Sequence, residues 1–232
     1  MNYYRPSSER GRANFGWLDS KHSFSFGHYY DPKHMGFSVL RVINDDAVSP
    51  GAGFDTHGHR DMEIISYITQ GAIEHKDSMG NQFIVPAGEV QRMSAGSGIT
   101  HSEYNHSRTA PLKFLQIWIQ PNVRGIAPSY EQKRIEQSAQ LTALVTPDGK
   151  DGSLRMHQDA SLYRLQLNKG ESLQLPENWR HSYVHVTQGS ATLSDSHGQF
   201  ELASGDGYGT DASDILIESV SEKFEALCFD LP

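Results

Sequence analysis

The sequence predicts an all-β protein built from two tandem jelly-roll β-barrels with few short helices. Three observations lead to this prediction. The 232 residues include 21 glycines and 10 prolines, which favour turns over long helices. Short runs rich in β-branched and aromatic residues recur along the chain, and several alternate apolar with polar side chains. One pattern of residues also occurs twice, at an offset of 118. Many short strands separated by turns are typical of sandwiches and barrels.

The strand candidates share this β-rich composition and are bounded by turn residues such as Ser78-Met79-Gly80-Asn81. The clearest are residues 37–44, 63–69, 114–120, 163–167, 183–187, 214–218 and 224–231. Residues 129–144 are polar and weakly periodic. We expect them to form a helix that connects two halves of the chain.

The repeat supports a chain made of two related halves. Gln70-Gly71 is followed after five residues by Asp77, and Gln188-Gly189 is followed after five residues by Asp195. Hairpin turns often look alike, but some eight aligned positions in the same order favour duplication. We therefore expect an N-terminal barrel over residues 1–140 and a C-terminal barrel over residues 141–232.

Composition limits the classes of partner. The chain has 28 acidic against 20 basic residues, a net charge of −8, and no run of Lys and Arg dense enough to follow a phosphate backbone. No apolar stretch approaches the ~18 residues of a membrane span, and no signal peptide is evident. The single cysteine, Cys228, fits a reducing compartment. We expect a cytoplasmic monomer that contacts neither nucleic acid nor membrane.

Two pairs of residues have the spacing of metal ligands. His57 and His59 alternate, as do His101 and Glu103, so each pair shares one face of a strand. Two antiparallel strands side by side would present these four ligands around one point. Three imidazoles and one carboxylate suit Fe, Mn, Ni, Cu or Zn. A single histidine is more often a surface or packing residue, but two such pairs flanking a hairpin favour a metal site.

Two alternatives remain open at this point. Glu63 has the same parity as His57 and His59, so it competes with Glu103 as the carboxylate ligand. The aromatic residues of segment 24–30 either line a substrate entrance or pack one barrel against the other. These residues are Phe24, Phe26, Tyr29 and Tyr30.

The residues around the histidines resemble two known motifs. The spacing of the first cupin motif is found at Gly51, His57, His59 and Glu63. The second motif begins at residues 80–88, but Gln91 occupies the place of the usual ligand histidine, and ligands follow at His101 and Glu103, as in the pirins. Segments 16–20, 22–26, 29–32, 35–37 and 40–46 resemble the pirin signature more specifically. The resemblance is closest to bacterial pirin-like proteins described as quercetin 2,3-dioxygenases.

This resemblance implies cupin-type barrels and one divalent metal per chain, usually Fe²⁺, bound by His57, His59, His101 and Glu103. It favours Glu103 over Glu63 and implies that the second barrel lacks a metal. The repeat places the four ligand positions of that barrel at Leu175, Glu177, Glu218 and Val220.

The function implied by the resemblance is that of a metal-dependent dioxygenase. It would cleave flavonols such as quercetin with O₂ and release carbon monoxide, and Glu103 is the candidate general base for the 3-hydroxyl group. An enzyme acting on another small aromatic or enolic substrate is a further possibility. The alternative from another class is a non-catalytic, iron-binding regulator that acts through a protein partner.

Overall fold

The computed structural model describes residues 2–232, and nearly all of its regular structure is β-strand. Two short 3₁₀ helices occur, at Ser7–Glu9 and Lys150–Gly152. In chain order the strands are β1 (Asn2–Arg5), β2 (Gly11–Asn14), β3 (Leu18–His22), β4 (Leu40–Val48), β5 (Gly53–His59), β6 (Glu63–Gln70), β7 (Ala72–Asp77), β8 (Gln82–Pro86), β9 (Glu89–Ser94), β10 (Ile99–Asn105), β11 (Leu112–Ile119), β12 (Ser129–Arg134), β13 (Leu141–Thr146), β14 (Leu154–Arg155), β15 (Ser161–Asn168), β16 (Ser172–Gln174), β17 (His181–Gln188), β18 (Ser190–Asp195), β19 (Gly198–Ala203), β20 (Gly207–Thr210), β21 (Leu216–Ser219) and β22 (Lys223–Leu231).

The chain divides into two compact units. The first unit contains Gly11–Glu136 and Leu154–Gln158, and the second contains the described residues through Arg10, Gln137–Ser153 and Asp159–Pro232. The second unit thus includes the first strand of the chain. The assignment of metal binding to residues 1–140 alone stays a prediction.

Each unit consists of a large antiparallel sheet and a four-stranded sheet. In the first unit the strand orders are β12-β9-β6-β11-β4-β3-β2 and β5-β10-β7-β8. The second unit has β1-β20-β17-β22-β15-β13 and β16-β21-β18-β19. In the first unit a buried apolar cluster joins side chains of both sheets, including Val48, Phe114, Ile73 and Val85. The prediction of two tandem barrel-type β-domains is confirmed.

The repeat corresponds to matching hairpins. Shifted by 118, β6 and β7 coincide with β17 and β18 residue for residue. The turn glycines Gly71 and Gly189 both have φ +79°, a conformation that disfavours residues with a Cβ. A Cβ at Gly189 would also lie 2.2 Å from the carbonyl oxygen of Lys223. A one-residue turn of this kind requires glycine, which is why Gln-Gly is found in both halves.

The prediction of a helix over residues 129–144 is wrong. This segment forms β12 and the first part of β13. β12 pairs with β9 at the edge of its sheet, so most of its side chains contact solvent and can be polar without disturbing the core. Its sequence therefore lacks the apolar alternation that identifies a half-buried strand.

Candidate metal centre

Three imidazoles from two neighbouring strands converge in the first unit. β5 pairs with β10 so that His57 lies opposite His101 and His59 lies opposite Ile99. His101 is buried, and the other two histidines are half-buried. The Nε2 atom of His101 lies 3.0 Å from Nε2 of His59 and 3.1 Å from Nε2 of His57. The alternation read from the sequence therefore places the three ring nitrogens together.

The environment of His59 and His101 keeps these two imidazoles neutral. Burial, together with the neighbouring His101 and His57 rings, lowers the pKa of His59 to about 4, and the charge of Glu103 opposes this shift. Burial, together with the neighbouring His57 and His75, lowers the pKa of His101 to about 3. At neutral pH both rings are unprotonated, which is the form that binds metal ions.

The tautomer of His57 is fixed by the backbone. Its Nδ1 atom lies 2.7 Å from the carbonyl oxygen of Asp55, which can only accept a hydrogen bond. The proton therefore resides on Nδ1, and Nε2 carries a lone pair directed at the cluster. Bonds of this kind orient the histidine ligands of metal sites.

The donor set fits a metal ion. Two nitrogen ligands about 2.1 Å from one ion and at right angles to each other lie about 3.0 Å apart. The two Nε2–Nε2 distances of 3.0 and 3.1 Å match that spacing. These spacings are compatible with the binding of one cation by the three ring nitrogens.

Glu103 lies close to His101, which is a member of the imidazole cluster. The pairing of β5 with β10 is irregular between His101 and Glu103, while on the other side of β10 Glu103 lies opposite His75 of β7. One ligand atom each from His75, His101 and Glu103 lie within 4.8 Å of one another, and all three residues are buried. His101 thus belongs to two donor groups. Joint ligation of one ion by His57, His59, His101 and Glu103 stays a prediction.

Both oxygens of the Glu103 carboxylate face hydrogen-bond donors. Gln116 Nε2 donates to Oε2 at 2.8 Å, and Ser66 Oγ lies 3.4 Å from Oε1. Ser66 also donates to Gln116 Oε1 at 3.2 Å. The two donors fix the orientation of a buried carboxylate that would otherwise lose its hydration without compensation.

These donors belong to a polar row that crosses the large sheet of the first unit. The row consists of the cross-strand neighbours His22, Asn44, Gln116, Ser66 and Gln91, on strands β3, β4, β11, β6 and β9. All five are buried. Each strand contributes only one residue to the row, so sequence analysis could not detect the row without knowing the register between strands.

His75 is a candidate ligand that sequence analysis missed. Its Nε2 atom lies 3.0 Å from Oδ2 of Asp77, and its ring centre lies 4.6 Å from that of Tyr130. His75 and Asp77 alternate on β7 just as His101 and Glu103 do on β10. This alternation is the sequence signal from which His75 could have been predicted as a ligand.

Glu63 lies apart from both donor groups. It is buried on β6, where Ser94 Oγ donates to its Oε2 at 2.8 Å and His157 Nδ1 lies 3.5 Å from its Oε1. Among residues 2–232, neither three-residue donor group includes Glu63.

An aromatic cavity of about 340 Å³ lies near the imidazoles in the first unit, separated from them by aromatic side chains. Phe54 lies on its wall, with its ring centre 6.5 Å from that of His57. Phe26, also on the wall, contacts Trp118, whose ring centre lies 5.0 Å from that of His59. Aromatic rings thus connect the cavity to two of the three histidines.

The residues of the aromatic segment 24–30 have different environments. Phe26 and Tyr29 line the cavity, whereas Phe24 is buried and Tyr30 is exposed. The Tyr29 ring packs on Gly11, where a Cβ would lie 2.3 Å from ring atoms. Gly11 therefore lets this ring lie flat against the backbone.

Asp46 is the buried acid of the cavity. Burial raises its pKa to about 7; a hydrogen bond from Ser20 opposes this shift, and the charges of Asp45 and Glu103 add to it.

In the second unit, aliphatic residues occupy the positions of the metal donors. The β6–β7 and β17–β18 hairpins are equivalent, and β18 pairs with β21 so that Leu193 lies opposite Ile217, as His75 lies opposite Glu103. Extending this register gives the counterparts of His57, His75, His101 and Glu103 as Leu175, Leu193, Ile215 and Ile217. These four residues are buried in one apolar cluster.

This register confirms Leu175 as the counterpart of His57 at the offset of 118 and corrects the counterparts of His101 and Glu103. Glu177 as the counterpart of His59 stays a prediction. Glu218 and Val220 were wrong counterparts of His101 and Glu103. Val90 and Glu103 are 13 residues apart, whereas their equivalents Gly207 and Ile217 are 10 residues apart, and this difference shifts the register by three residues.

Across residues 2–232, the model contains no helix with the length and hydrophobicity needed to cross a bilayer.

Two antiparallel β-sheet units, one with converging imidazoles, define a metal-binding protein of the cupin class. The family model described as Pirin matches residues 4–119, and the model described as Quercetinase C-terminal cupin domain matches residues 143–231. The chain belongs to the pirin family.

Individual relatives cover the whole chain. The Quercetin 2,3-dioxygenase of Escherichia coli (strain K12) is 49% identical over 234 residues, which are 100% of this chain and 99% of the relative. The crystal structure of the bacterial pirin YhhW from Escherichia coli in complex with nickel(II) has a TM-score of 0.94 at 49% identity, covering 100% and 99% of the two chains. YhaK from Escherichia coli has a TM-score of 0.78 at 31% identity, covering 96% and 98%.

The comparisons confirm the predicted resemblance to pirins and to quercetin 2,3-dioxygenases. The similar protein YhhW binds nickel(II), a divalent metal from the predicted set. Iron as the metal of this chain stays a prediction.

Proposed function

We propose that this chain is a metal-dependent dioxygenase that cleaves flavonols such as quercetin with O₂ and releases carbon monoxide. The convergence of three imidazoles near an aromatic cavity is the observation that carries the proposal. The names of the full-length relatives support the reaction class.

His57, His59, His101 and Glu103 are the proposed ligands of one divalent ion, and iron(II) is the first ion to test. Such an ion acts as a Lewis acid that lowers the pKa of a bound hydroxyl group. Imidazole ligands add no negative charge to the ion, so the site would keep a net positive charge that attracts an enolate.

Glu103 is the proposed general base. Its carboxylate is oriented by Gln116 and Ser66, so one geometry is maintained for accepting the proton of the flavonol 3-hydroxyl group. The aromatic wall formed by Phe26, Tyr29 and Phe54 binds the flat ring system and excludes water from it. We further propose that the enzyme acts in the cytoplasm, because its one cysteine, Cys228, is a free buried thiol.

The test is turnover of quercetin by metal-loaded protein. Samples loaded with iron(II) or nickel(II) are mixed with quercetin in air, and the near-ultraviolet and visible absorbance and the carbon monoxide produced are measured. We expect turnover by the wild type and by the surface control His106→Ala, and its loss in His101→Ala. Full metal occupancy without turnover above that of free metal would refute the proposal and favour the non-catalytic iron-binding regulator.

A further inference from the structure

The aromatic cavity has a polar floor made by two residues of β4. Asn44 and Asp46 alternate on this strand and therefore project to the same side of the sheet. Both line the cavity, and each is only 3% exposed. Their cross-strand neighbours on β3 are His22 and Ser20.

Each floor residue has one oxygen that lacks a hydrogen-bond partner. These atoms are Asn44 Oδ1 and Asp46 Oδ1, both buried. A buried acceptor without a donor destabilises a protein, so such atoms are uncommon and require an explanation. Ligand donors in the cavity would satisfy both oxygens.

Asn44 and Asp46 are connected to the metal donors through Gln116 and Glu103. Asn44 is the cross-strand neighbour of Gln116, which donates to Glu103. The charge of Glu103 also acts on Asp46. The two free oxygens therefore lie on the same side of the large sheet as the Gln116 amide that orients Glu103.

We propose that Asn44 and Asp46 form an acceptor pair that binds hydroxyl groups of an aromatic polyphenol and makes the site selective for polyhydroxylated flavonols. This inference rests on the proposed function, whose reaction at the 3-hydroxyl group requires no further hydroxyl group. The cavity volume of about 340 Å³ lies within the ~300–1000 Å³ typical of small-molecule sites. Apolar walls with a few placed polar groups are the usual composition of such sites.

The experiment compares two ligands that differ only in these hydroxyl groups. Nickel-loaded protein is titrated without oxygen with quercetin and with 3-hydroxyflavone, which lacks the additional hydroxyls, and binding is followed by absorbance and by quenching of tryptophan fluorescence. The variants are Asn44→Leu and Asp46→Leu. The matched control is Asp45→Leu, the same chemical change at the adjacent position of β4, whose side chain projects to the opposite side.

Each floor variant should weaken quercetin binding by about 5–10-fold and alter 3-hydroxyflavone binding by less than about twofold. The control should retain the wild-type ratio. Equal losses for both ligands, or an unchanged ratio, would show that the two oxygens are satisfied in another way and would overturn the proposal.

A ligand series on the wild type alone provides a second test, should the variants fail to fold. Affinity should increase from 3-hydroxyflavone through galangin to quercetin, and a flat series would refute the acceptor pair. Turnover separates the two proposals. Quercetin cleavage with no hydroxyl preference refutes only the pair, whereas hydroxyl-dependent binding without oxygen consumption refutes only the dioxygenase. Failure of the metal-loaded wild type to bind either ligand would refute both.

Discussion

Replacing Glu103 by glutamine removes the charge of the proposed carboxylate ligand while preserving its shape. Gln116 donates to one oxygen of Glu103 and Ser66 lies beside the other. In Glu103→Gln the new amide oxygen can accept from Gln116, and its NH₂ group can donate to the Ser66 hydroxyl. The metal-free protein therefore loses only the charge-assisted part of one hydrogen bond, about 1 kcal/mol.

The effect on metal affinity should be much larger. The ligand atoms of His75, His101 and Glu103 lie within 4.8 Å of one another. At that distance, and at an effective dielectric constant of about 20, a unit negative charge attracts a unit positive charge by about 3 kcal/mol. Since 1.4 kcal/mol is a factor of ten, Glu103→Gln should weaken metal binding by about 100-fold. Quercetin turnover should fall at least as far, because the general base is lost too.

The assay is a competition titration with a chelator, with melting curves recorded in excess chelator to confirm folding. Glu63→Gln is the matched control: an equally buried glutamate, whose carboxylate interacts with Ser94 and His157 instead. We expect it to keep the metal affinity within a few-fold of the wild type. A larger loss in Glu63→Gln would show that the site uses the first-motif glutamate, and equal losses would refute the specific assignment of Glu103 as the carboxylate ligand.

Three further outcomes follow from the structure. His57→Ala and His101→Ala should each abolish stoichiometric metal binding, while circular dichroism in chelator stays like that of the wild type; full occupancy in either would eliminate the proposed site. Metal analysis should give one ion per chain, because buried aliphatic residues fill the equivalent positions of the second unit; a second tight equivalent would contradict this. Burial, reinforced by the charge of Arg10, lowers the pKa of His185 to about 3. The unfolded chain therefore binds a proton below about pH 6.5 that the folded chain does not, and stability is lost as the pH falls. Urea unfolding should show that His185→Phe removes about 2 kcal/mol of the wild type's stability loss between pH 7.5 and pH 5; an unchanged loss would mean that His185 is accessible to protons in the fold.

The sequence was sufficient for features that depend on neighbours along one strand. The alternation of His57 with His59 gave a shared face, and the Gln-Gly pairs located hairpins that coincide after a shift of 118. Periodicity within a strand requires no knowledge of its partners, and a one-residue turn requires glycine wherever it occurs.

Features that depend on pairing between strands could not be predicted. The support of Glu103 by Gln116 and Ser66 requires the register of β10, β11 and β6, which pack from two different sheets. The counterparts of His101 and Glu103 in the second unit were misplaced because a segment of different length changes the register without leaving a sequence signal. The polar edge strand β12 was mistaken for a helix because solvent-facing strands need no apolar alternation.

The polar row also affects which register the strands of the first unit adopt during folding. Five strands must adopt one mutual alignment for its members to meet, and a slip of one residue in any of them would turn its side chains to the opposite face. A misaligned sheet would bury single polar groups among apolar ones, so the correct alignment is selected energetically during folding. The residues that orient Glu103 therefore also favour the correct register between the strands. Substitutions along the row should therefore lower the yield of correctly folded protein as well as activity, whereas substitutions of the aromatic cavity wall should act mainly on ligand binding.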